Sequence, residues 1–155
     1  MDPLSLTLAT IGLATFCGQA VNILLQFAGQ SRGVDFTIKT FADEVSNLDR
    51  VLKSITASSK DRTIVSLAAG TGHEAQHWRD VLTTLGDCRS CMTRLVKILE
   101  KLEGDDGNVF KRTRKQLRLS IESGEIAVLR RQILSFTQTM QISLQMLLLW
   151  VPLRP

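Results

Sequence analysis

The sequence predicts an all-α protein: an antiparallel helical bundle of four main helices, the last one kinked or broken near Ser123-Gly124. Three observations predict it. Three long segments carry apolar residues in alternating steps of three and four, the period of a helix face packed along a seam. The Pro residues sit only at the ends, at Pro3, Pro152 and Pro155. The Val, Ile and Thr residues do not alternate with polar ones as they would in half-buried strands. A chain of 155 residues buries a core without a disulfide or metal staple. The expected organisation is one domain over 1–150 with a tail at 151–155.

The first helix is the least ordinary element. Asp2 followed by Pro3 is an N-cap and a first helical position. Between Asp2 and Arg32 lie 29 residues without a charge. As one helix they would span roughly 43 Å at about 1.5 Å per residue, the height of a small helical domain or the thickness of a bilayer. Leu6, Leu13, Ala20, Leu24 and Phe27 lie on one side, and Leu4, Leu8, Ile11 and Val21 broaden the apolar surface. A helix apolar almost all round is central in a bundle or lies in a membrane. A signal peptide fits poorly, because the chain opens Met-Asp-Pro and not with a basic region. Eight polar residues also interrupt the stretch.

Ser31-Arg32-Gly33 is the expected turn. The second helix is predicted over about 34–57 on the core line Val34, Ile38, Phe41, Val45, Leu48, Leu52, Ile55. Asp61 would cap a short helix through Leu67, and Gly70-Thr71-Gly72 breaks the chain. The third helix, about 73–102, buries Trp78, Val81, Leu85, Cys88, Met92, Leu95, Leu99 and Leu102. The loop at 104–108 ends it, and a basic helical segment follows over about 109–121. The last helix reaches about Leu149 on the line Ile126, Leu129, Ile133, Phe136, Met140, Ser143, Leu147, Trp150.

The net charge of +4 is unevenly placed. Residues 32–107 carry 11 basic and 12 acidic residues, whereas 108–155 carry 8 basic and only 2 acidic. Lys111, Arg112, Arg114, Lys115 and Arg118 form the cluster responsible. Such a cluster attracts phosphates. Phe110 is the sole aromatic near it, so base stacking on nucleic acid is not expected, and anionic lipid is the better ligand.

Two motifs suggest metal or redox chemistry without the context for it. His73-Glu74-Ala75-Gln76-His77 matches H-E-x-x-H, which sets two imidazoles on one helix face. It follows a Gly-rich break directly, and the carboxylates Glu100 and Glu103 lie roughly 35 Å along the same helix. Cys88-Arg-Ser-Cys91 matches C-x-x-C but falls mid-helix with Cys88 on the core line, where core packing is the expectation. Three Cys with no framework spacing fit a reducing cytosol. No phosphate-binding G-x-x-x-x-G-K-[ST] loop is present. No catalytic residue, metal ligand or cofactor is expected, and the protein is read as non-enzymatic.

The opening Met1-Asp2-Pro3-Leu4-Ser5-Leu6-Thr7, then Ile11-Gly12-Leu13-Ala14, resembles the N-terminal HeLo-like domains of fungal STAND receptors. Phe41-Ala-Asp-Glu-Val-Ser-Asn-Leu-Asp-Arg-Val-Leu resembles that family's second helix. Phe110-Lys-Arg and the stretch 126–148 look like its basic start and final helix. The resemblance covers about 1–149. It implies a helical bundle placed before a nucleotide-binding or ankyrin sensor domain, and this chain would then be an excised domain or a short stand-alone protein. It also implies a cell-death or membrane-targeting executor whose N-terminal helix is released into membrane on oligomerisation.

On this reading the membrane-engaging residues are Leu4, Leu6, Leu8, Ile11, Leu13, Phe16, Val21, Leu24 and Phe27. The lipid-headgroup residues are Lys111, Arg112, Arg114, Lys115 and Arg118. Expected partners are like domains or a sensor protein, and anionic lipid. The expected location is cytoplasmic, with membrane association on activation. The rival expectation is a homotypic protein–protein interaction module without membrane activity.

Overall fold

The computed structural model describes residues 3–29, 33–59, 73–103 and 110–150. They form five helices: α1 Pro3–Ala28, α2 Phe36–Ser59, α3 His73–Glu103, α4 Phe110–Ser123 and α5 Glu125–Trp150. No strand occurs among the described residues, so the protein is all-α. The expected short helix after Asp61, the break at 70–72, the loop at 104–108 and the tail lie outside the described residues.

The alternating apolar positions meet in one core. Ile38, Phe41, Val45, Leu48, Leu52 and Ile55 of α2 are buried, as are Val81, Leu85, Cys88, Met92, Leu95 and Leu99 of α3. From α5 come Ile126, Leu129, Ile133 and Met140, and α4 adds Leu117 and Ile121. Each large side chain so buried contributes about 1.5–3 kcal/mol. Within this bundle α1 packs on α2 and α3, and α5 packs on α2, α3 and α4.

Polar contacts fix how the helices are paired. The Thr10 and Thr56 hydroxyls meet at 2.5 Å, and the Asp35 N–H donates to the Ala28 carbonyl at 2.9 Å. Arg130 grips Glu44 with two bonds, Nε to Oε2 at 2.7 Å and Nη2 to Oε1 at 2.6 Å. That grip raises the Arg130 pKa further. On α3, Arg94 reaches Glu125 at 2.8 Å, and the Cys91 thiol lies 3.7 Å from the Leu129 carbonyl.

Two glycines and one aspartate set the helix ends. Gly29 has φ +86°, a left-handed conformation that ends α1 and that side chains beyond glycine resist. Asp35 caps α2, its Oδ1 accepting from the Ile38 N–H at 3.2 Å. Helix α2 therefore begins at Phe36, two residues later than the heptad spacing predicts, because Asp35 spends its carboxylate on the cap. At Gly124 a Cβ would stand 2.9 Å from the Ser120 Cα, so only glycine fits. The Ser120 Oγ accepts from the Ile126 N–H at 3.2 Å and starts α5.

Candidate functional site

Helix α1 has two faces. Leu13, Cys17, Ala20, Ile23, Leu24 and Phe27 are buried, together with Thr10. Leu8, Ile11, Thr15, Gln19, Asn22 and Gln26 recur at steps of three and four along the outer face, which is exposed and carries no charge. The segment Leu8–Ala28 has a mean hydropathy of 1.7 and is long enough to cross a bilayer, though core helices share those properties.

The predicted membrane-engaging residues are thus divided by the packing. Leu13, Leu24 and Phe27 are core residues, and Phe16 and Val21 are half-buried. Leu8 and Ile11 face outward at 61% and 52% exposure. The side chains of Leu4 and Leu6 lie outside the described ones. Over the Phe16 ring stands Arg89 of α3, 6.0 Å from its centroid, within reach of a cation–π contact.

The basic cluster is also divided. Arg114 turns inward, its Nη2 donating to the Ala28 carbonyl at 2.8 Å and also to the Gly33 carbonyl. It thereby caps the C-terminal end of α1, where the helix dipole favours a cation. Arg118 pairs with the buried Asp35 at 3.1 Å. These two arginines clamp the α1–α2 turn. Lys111, Arg112 and Lys115 are exposed. No acidic residue sits in the first turn of α4 to balance them. A cleft of about 310 Å³ lies here, lined by Val34, Asp35, Lys111, Arg114, Lys115 and Arg118.

Cys17, Cys88 and Cys91 are free and buried. Burial pushes the Cys17 thiol up to about 12, with the Asp49 carboxylate adding to it. Burial pushes Cys91 up to about 11, against a small opposing pull from Arg94. The Cys88 thiol is raised as well, again by burial first. A thiol so raised is a weak nucleophile at neutral pH, since the thiolate is the reactive form. Among the described residues no three His, Cys, Asp or Glu side chains converge on a common point.

Sequence reasoning missed the clamp and one exposed aromatic. Asp35 carried a legible signal, being an Asp just before a helical apolar line. So did Phe36, an aromatic off the 34–38–41 register. Nothing in the sequence distinguishes Arg114 from Arg112, because which face of α4 meets α1 is decided by tertiary packing.

Comparison with protein families, with curated proteins and with solved structures finds no match for this chain.

Proposed function

We propose that the protein is a non-enzymatic signalling effector of HeLo-like type, whose first helix leaves the bundle and engages membrane on activation. The observation that carries this is the way α1 is held. It contributes no charged side chain over 26 residues. Its holding contacts include apolar packing, the Thr10–Thr56 bond, Arg89 over Phe16, and the Asp35 N–H and Arg114 on the Ala28 carbonyl. Each can be exchanged for lipid without moving an α1 charge into hydrocarbon.

The pairings support a bundle of four main helices, with α4 leading into α5. Asp35 and Thr37 at the start of α2 meet Arg118 and Glu122 of α4, and Glu44 meets Arg130 of α5, an order that supports α4 and α5 following the direction of α2. Cys91 and Arg94 meet Leu129 and Glu125 in falling order, so α3 opposes α5. Helix α1 opposes α2 by the same logic. Withdrawing α1 uncovers Leu13, Ile23, Leu24 and Phe27, at about 6–12 kcal/mol in all. That is comparable to the whole stability of a domain, so lipid or like domains must take over the surface.

Dye release from phosphatidylserine-containing vesicles tests this with Leu8→Asp and Ile11→Asp. Both positions are exposed, so the melting temperature holds while leakage is lost. Undiminished leakage in a folded double variant would refute the role of α1.

The rival interaction-module reading has one observation in its favour. Leu134, Ile142 and Met146 of α5 are exposed apolar side chains on a helix face. Loss of self-association in Ile142→Asp, with vesicles left intact by the wild type, would favour it.

A further inference from the structure

Phe36 is 79% exposed, the most exposed large apolar side chain among the described residues. It is not a loose loop residue. Asp35 on one side is buried and bonded to Arg118. Thr37 on the other donates its hydroxyl to Glu122 at 3.2 Å. The backbone at Phe36 is therefore fixed from both sides, and its ring is held out from the protein. The same contacts bring α4 against the start of α2. There Leu119, next to Arg118, is 50% exposed. Arg112, Lys115 and Leu119 are spaced three and four residues apart, so they share one face of α4.

The charges around these two side chains are mostly positive: Asp35 is paired with Arg118, and Glu122, which accepts from Thr37, is an exposed carboxylate beside them. Arg114 and Arg118 are occupied by carbonyls and by Asp35. Lys111, Arg112 and Lys115 form no ion pair among the described residues. The positive end of the α4 dipole adds to their field. One protruding aromatic and one aliphatic side chain beside three exposed cations match an anionic bilayer surface, where Phe and Leu enter the boundary between headgroups and acyl chains and Lys and Arg meet phosphate and carboxylate. Single-stranded nucleic acid stacks its bases on several aromatic faces, and Leu119 offers none.

We propose that the intact bundle docks on anionic membrane through this end, with Phe36 and Leu119 as anchors and Lys111, Arg112 and Lys115 as headgroup contacts, while α1 is still packed. The inference rests on the membrane reading of the protein but locates first contact away from the α1 face. The docked surface also contains the Arg114 clamp on the end of α1, so docking places that end beside lipid.

Sedimentation of the full chain with vesicles tests it, using phosphatidylcholine alone and phosphatidylcholine with phosphatidylserine. The buried thiols of Cys17, Cys88 and Cys91 report on α1 through their reaction with a maleimide. Binding is expected only with phosphatidylserine, and the thiols stay protected in the bound protein. Phe36→Ser with Leu119→Ser lowers binding at least tenfold without altering the melting temperature. Replacing Lys111, Arg112 and Lys115 by Gln lowers it roughly fivefold per charge. Unchanged binding in the Phe36/Leu119 variant overturns the proposal, as does thiol exposure on binding. So does binding to a single-stranded oligonucleotide with none to vesicles. Leakage is read separately: docking with protected thiols but no leakage under any condition would sink the α1 reading and leave docking standing.

Discussion

Raising the pH should unfold this protein through its cysteines. Cys17 and Cys88 are at most 1% exposed and Cys91 is 6% exposed. Their folded-state pKa values are raised from an ordinary 9.0, to about 12 for Cys17 and about 11 for Cys91, and Cys88 is raised too. A raised folded pKa contributes stability that is fully present below pH 9. It is lost as the pH climbs through the folded values. In that window the unfolded chain sheds three protons that the folded chain keeps. Each thiol then costs about 1.4 kcal/mol per pH unit, so the three together cost about 4 kcal/mol per unit. From pH 9 to 11 the loss is about 6 kcal/mol, because the unfolded thiols are half-ionised at pH 9 and folded Cys91 is half-ionised near 11, and that is on the scale of total domain stability. Urea unfolding followed by circular dichroism between pH 7 and 10.5 measures it, comparing the wild type with Cys17→Ala/Cys88→Ala/Cys91→Ala. The triple variant is less stable at pH 7 because it loses buried volume, yet its alkaline slope should be shallower by about 4 kcal/mol per unit. Equal slopes would refute the reasoning, because the thiols would then not be held neutral by the core.

Asp35→Ala removes the α2 cap and the Arg118 partner together. It should cost about 2 kcal/mol or more, and a double-mutant cycle with Arg118→Ala should show coupling. Gly124→Ala drives a Cβ to within 2.9 Å of the Ser120 Cα. It should destabilise by about 1–3 kcal/mol, read as a lower urea midpoint with unchanged helicity of the folded state.

The amphipathic helices were readable because a polar face gives the period its meaning. In α2 every position from Ile38 to Ile55 on the core line is buried, and α3 follows its line equally well over Val81 to Leu99. Helix α1 lacks that contrast. Leu13, Ala20, Leu24 and Phe27 were expected inside and are inside, but Leu8 and Ile11 face outward while Thr10 and Cys17 are buried. Thr10 is accommodated because Thr56 meets its hydroxyl, a partner 46 residues away that no local pattern reveals. The basic segment showed the same limit. Five cations in eight residues suggested one phosphate-binding surface, but two of them close the α1–α2 turn and three remain exposed.

A label on α1 tests the central claim most directly, that this helix is a core element at rest and a membrane element when active. Ile11 is exposed in the bundle, so Ile11→Cys accepts an environment-sensitive nitrobenzoxadiazole label without disturbing the core, and the native thiols are too buried to compete. The account predicts a water-exposed label in the free protein. During vesicle leakage its emission should shift to the blue and be quenched by spin labels deep in the acyl chains. A label that stays in water while the vesicles leak would contradict it.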